Sequence, residues 1–75
     1  MLSDIERKVL RVIANYSAGR RRTPSVQELC TKTGRNRGGI MMVLEILAKE
    51  KYIEWERALP DAIQVLEAWE RKEKN

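Results

Sequence analysis

The chain has 75 residues and carries 15 Lys and Arg against 11 Asp and Glu, a net charge of +4. That length supports one small domain with a marginal core, and the ordinary apolar content argues against wholesale disorder. No apolar run nears the ~20 residues of a membrane span and no signal-peptide core follows Met1, while a lone cysteine excludes a disulfide framework and the absence of histidine removes the commonest general base and metal ligand.

Ser3 followed three residues later by Glu6 is a capping-box pattern. Ile5, Val9, Val12, Ile13 and Tyr16 recur at the spacing of a core-facing stripe, widened by Leu10. A first helix is therefore predicted from Ser3 to about Ser17, ended by Gly19 and the arginines after it. Pro24 sets an extended approach, Ser25 caps, and Glu28 completes a second capping box. The second helix is short, running to about Lys32, with Val26, Leu29 and Cys30 inward and Gly34 as a left-handed stop. Cys30 reads as a small core hydrophobe, since no histidine is present to activate it.

A third helix is predicted from near Asn36 to about Glu50. Ile40, Val43, Leu44 and Leu47 form its inner stripe, and Gly38, Met42, Glu45 and Lys49 lie opposite, with Met41 and Ile46 on the flanks. Two short helices joined by the tight Thr33-Gly34-Arg35 turn make a helix-turn-helix pattern. From Tyr52 to Glu56 the period becomes alternating, which predicts a strand. Arg57 to Asp61 reads as a loop, and Ala62 to Leu66 as an antiparallel return strand. Asp61 to Trp69 also carries a helical face, but a lone strand needs a partner, which favours the hairpin. The chain thus divides into a domain over residues 1–69 and a charged tail over residues 70–75. The expected class is mainly α with a small β-hairpin (α+β), a three-helix winged helix-turn-helix.

The charge is concentrated. Residues 20–37 hold six basic side chains against Glu28 alone, whereas residues 38–75 hold six basic against eight acidic. An excess confined to 18 residues points to a local anion site, with a merely solvated loop as the plain alternative.

The sequence resembles the N-terminal DNA-binding domain of LexA-type repressors. The resemblance runs through Leu2-Ser3, Val9-Leu10-Arg11-Val12-Ile13, Tyr16, Pro24-Ser25-Val26-Gln27-Glu28-Leu29, Gly34, Leu44, Leu47, Tyr52-Ile53, Pro60 and Ala62-Ile63-Gln64-Val65-Leu66. It covers about residues 2–66 and rests on the joint spacing of these pieces. It implies a winged fold whose third helix enters the DNA major groove, with a wing at about Arg57–Asp61 near the backbone or minor groove. Three departures stand out. The family's self-cleaving, dimerising domain has no counterpart here, so self-cleavage does not carry over. The wing tip, Leu59-Pro60-Asp61, is not basic, and Lys51 stands where the family usually has glycine.

With the third helix in a groove, Arg35, Asn36 and Arg37 are expected at base edges, because Arg matches guanine and Asn matches adenine with paired hydrogen bonds. Gly38 lets the backbone approach closely, and Met42 is placed for a thymine methyl. Phosphate contacts are expected from Arg20, Arg21, Arg22, Ser25, Gln27, Lys32 and the Gly39 N–H, with Arg57 on the wing. Capping is the competing job for Ser25. Trp55 and Trp69 read as packing rather than base-stacking residues. Met41, Met42 and Ile46 are apolar for a DNA-facing helix and support a rival reading, a protein-interaction surface. No enzyme, cofactor, metal or small-molecule substrate is expected. The expected partner is double-stranded DNA, bound as a homodimer on paired half-sites in the cytoplasm, with no membrane involvement.

Overall fold

The computed structural model describes residues 2–20 and 22–67. Three helices, α1 (Asp4–Arg20), α2 (Val26–Thr33) and α3 (Arg37–Lys49), precede two antiparallel strands, β1 (Ile53–Glu56) and β2 (Leu59–Val65). The class is mainly α with a small hairpin, in winged-helix-like order. The proposed tail, residues 70–75, and Trp69 lie outside the described residues.

The predicted stripes are the core. Val9, Leu10 and Ile13 of α1, Val26 and Leu29 of α2, Ile40, Leu44 and Leu47 of α3, and Ile53 of β1 are all buried in one cluster. The third helix packs against α1, α2 and β1, so it is the central element. Truncating Leu44 to alanine there removes roughly 2–5 kcal/mol, the usual range for a buried leucine.

Two boundaries differ from the sequence expectation. The first helix continues past Ser17 to Arg20, through Gly19. Arg20 lies one turn beyond Tyr16 and stacks over its ring at 4.8 Å, and a cation in the last turn suits the helix dipole. The hairpin turn is also shorter than expected, at Arg57 and Ala58, because the return strand begins at Leu59 rather than Ala62. Pairing runs Ile53↔Val65, Glu54↔Gln64 and then Glu56↔Leu59, so two steps on β1 match five on β2. The extra residues form a bulge that accommodates Pro60, which cannot donate to a ladder. Trp55 Nε1 donates to the Pro60 carbonyl at 2.8 Å, the hairpin packing read for it.

At the end of α3 the Lys51 N–H donates to the Ala48 carbonyl and the Tyr52 N–H to the Leu47 carbonyl. Lys51 has φ +67°, the left-handed conformation that glycine adopts without strain. Lysine thus makes this turn at a conformational cost.

Candidate nucleic-acid interface

Most of the residues expected to contact DNA lie in three places: the start of α2, the cations around Tyr16, and the start of α3. At the first of these, the N–H groups exposed by helix geometry are closed from within. Ser25 Oγ accepts from the Glu28 N–H at 3.2 Å, and Glu28 Oε1 accepts from the Ser25 N–H at 3.1 Å, which completes the predicted capping box. Asp61, in the irregular stretch of β2, accepts from the Val26 N–H at 2.9 Å. Two carboxylates therefore sit at this helix end, where the dipole favours anions. The Ser25 hydroxyl is engaged in capping, the competing job weighed for it, and Asp61 is not a wing-tip residue. Gln27 remains exposed in the first turn.

Tyr16 of α1 is the hub of the second group. Its hydroxyl donates to Glu28 Oε2. Arg20, Arg22 and Lys32 gather around its ring at 4.8, 5.1 and 5.7 Å from the centroid. Arg22 also pairs with Glu28 Oε1 at 3.3 Å. Three cations and one carboxylate leave the cluster positive. Glu28 stays ionised: the Tyr16 hydroxyl, then the Ser25 N–H, and also Arg22 lower its pKa from 4.5 to about 2, against the opposing effect of burial. The Tyr16 phenol is pushed up, first by its hydrogen bond to Glu28 and then by burial. Arg21 lies outside the described residues.

The start of α3 is different. Asn36 is its N-cap, and its side-chain oxygen accepts from the Gly39 N–H at 2.8 Å. Two of the residues expected at DNA take part in this cap. Asn36 Oδ1 accepts the cap bond, which leaves one lone pair and the amide nitrogen for a further partner. The Gly39 N–H is taken up by that bond. A Cβ on Gly39 would stand 3.3 Å from Asn36 Oδ1, so this glycine serves the cap, whereas one on Gly38 would stand at 3.7 Å. The Arg37 and Gly38 N–H groups have no intrahelical acceptor, as in any first turn. No acid lies in that turn, and Arg35 and Arg37 flank it, both exposed.

Lys32 and Arg35 are three residues apart across the Gly34 turn (φ +72°), which holds their Cα atoms within about 11 Å. Through Lys32 the Tyr16 cluster is thus joined along the chain to the α3 start. The outward face of α3 is apolar farther along: Met42 and Ile46 are 64% and 37% exposed. Between them on that face Glu45 pairs with Arg57 of the hairpin turn, so the wing arginine is tied to α3.

Sequence reasoning missed Tyr16 as a hub, Asp61 as a cap and the Glu45–Arg57 pair. The Tyr16–Arg20 spacing was a readable signal; the other contacts join residues distant in sequence. Among the described residues no helix is long and apolar enough to cross a membrane, and no cluster of three His, Cys, Asp or Glu is placed to hold a metal. Searches against protein-family models and against curated proteins find no match.

Proposed function

We propose that this chain is a sequence-specific double-stranded DNA-binding transcriptional regulator, repressor-like and akin to LexA-type repressors, and not an enzyme. The reading rests chiefly on one observation: Arg20, Arg22 and Lys32 crowd one tyrosine ring, and Lys32 leads through a three-residue turn to the acid-free, arginine-flanked start of α3. Phosphates supply the anions such a surface lacks, and a helix N-terminus with free N–H groups receives them well.

In this mechanism α3 lies in the major groove with Arg35 and Arg37 at base edges and Gly38 close to the backbone. Arg20, Arg22 and Lys32 anchor phosphates, and Arg21 adds to the same segment. Asn36 shapes the helix start, with its amide nitrogen left to donate. Arg57 supports Glu45 rather than reaching outward. The protein works as a dimer on paired half-sites, in the cytoplasm of a bacterium, an archaeon or a phage-infected cell.

Selection of bound sequences from a random duplex pool tests this. Arg37→Ala is expected to change the preferred site, and Arg20→Ala to weaken binding evenly across sequences. Identical behaviour of the two variants contradicts the division into reading and anchoring residues. Failure of the wild-type protein to select any duplex contradicts the function. A second reading, a protein-binding module, is favoured only by exposed Met42 and Ile46, and it predicts that substituting these two abolishes partner capture while duplex binding is absent.

A further inference from the structure

The outer face of α1 carries charge that the proposed function does not use. Lys8, Arg11 and Asn15 recur at three- and four-residue spacing and are exposed, so they share one stripe opposite the buried Val9, Leu10 and Ile13. Two shallow grooves run along this stripe. One is lined by Asp4, Arg7, Lys8, Arg11, Val12 and Asn15. The other is lined by Val12, Asn15, Tyr16, Gly19, Arg20 and Lys32. They share Val12 and Asn15, so they form one continuous depression that ends at the Tyr16 cation cluster.

The charges along it are of one sign. Asp4, the only carboxylate lining either groove among the described residues, is engaged by Arg7 at 3.2 Å. Lys8 and Arg11 have no carboxylate partner among the described residues. From Lys8 to Arg20 the helix rises twelve residues, or about 18 Å. A major groove is only ~12 Å wide. A strip of that length, joined at one end to the Tyr16 cation cluster, is longer than the groove is wide and so has the reach to meet backbone beyond it.

We propose that this strip is a second phosphate-binding track, on which Lys8 and Arg11 hold the backbone of the same DNA duplex outside the segment read by α3. The assignment rests on the DNA-binding reading above. It adds a requirement that α3 alone does not impose, namely a minimum length of duplex. Phosphate contacts there add affinity without adding sequence information.

The test compares two duplexes carrying the sequence selected by the wild-type protein. One is trimmed to the shortest bound length, and the other is extended by about one helical turn on each side. Each is titrated at several salt concentrations with wild-type protein and with the Lys8→Ala, Arg11→Ala double variant. Both substitutions are at exposed helical positions that favour alanine, and circular dichroism checks the fold. The expected result is a wild-type slope of log K against log salt that is steeper on the extended duplex by about 1.8, two phosphates at 0.9 each. The double variant loses that difference and keeps the same preferred sequence. Equal wild-type slopes on both lengths overturn the track and leave the DNA reading standing. Failure of the wild-type protein to select any duplex in the first place overturns both. Equal slopes combined with Lys8- and Arg11-dependent binding to an acidic peptide or to phosphatidylserine vesicles also overturn the proposal, by giving the strip a different partner.

Discussion

The two helices of the helix-turn-helix pair begin in opposite surroundings, although both use a side-chain cap. At the start of α2, Ser25 and Asp61 occupy backbone N–H groups, and Glu28 and Asp61 bring negative charge to the positive end of the dipole. At the start of α3, neutral Asn36 caps one N–H, no acid follows, and two arginines stand alongside. A helix optimised only for stability would carry acids there. The difference separates two tasks: α2 is anchored to the hairpin and to α1, while α3 keeps an electropositive end facing solvent.

The comparison can be broken most severely at Asp61. Asp61→Ala removes a charge-assisted bond to the Val26 N–H and is expected to cost roughly 1.5 kcal/mol, read from urea denaturation with an unchanged m-value. Duplex affinity should hold or rise in the folded variant, since a carboxylate has been removed. A loss of affinity with intact folding would place Asp61 in the interface instead.

Lys51→Gly sharpens the picture from the far end of α3. Relief of the left-handed backbone should raise stability by about 1 kcal/mol and leave duplex binding unchanged. No gain in thermal midpoint would show that the lysine makes compensating contacts.

Asn36→Asp is smaller in energy and more discriminating. It keeps the cap oxygen and adds one negative charge at a helix N-terminus, which should stabilise the fold by about 0.5 kcal/mol. Duplex affinity should fall at the same time, because the added charge repels phosphate at the proposed interface. Stability and binding moving in the same direction would contradict the role given to this helix end.

At neutral pH the Glu28 contribution is constant, and its pH dependence shows only on acidification. Its folded pKa is depressed from 4.5 to about 2, so its stabilisation is fully present above about 4.5 and is lost as pH falls through about 2. Glu28→Gln should flatten the acid limb of a stability profile across that window. An unchanged acid limb would mean that the Tyr16–Glu28–Arg22 group does not couple to folding.

Local grammar made most of the fold legible. Ser3/Glu6 and Ser25/Glu28 capping boxes, the Gly34 stop and the apolar stripes all describe interactions within four residues or so, and each is found where its pattern places it. The sequence pattern starts the second strand three residues late because Pro60 and Asp61 look like loop residues; a bulge lets them lie within the strand. What was hidden is the tertiary use of polar side chains. Nothing near Asp61 in sequence announces that it caps a helix 35 residues earlier, and nothing near Glu45 announces Arg57. The basic segment was visible as composition, but its focus on one tyrosine ring required the crossing of α1 and α2. Asn36 shows the limit most clearly: an asparagine at a helix start has the same sequence signature whether it reads a base or caps the helix.

Mapping amide shifts while the full chain is titrated with its selected duplex is the most direct test. The account predicts that the largest changes fall together on Arg20, Lys32, Arg35, Arg37 and Gly38 and follow one binding curve. Changes confined to Met42, Ile46 and Leu59, or separate curves for the two cationic groups, would contradict it.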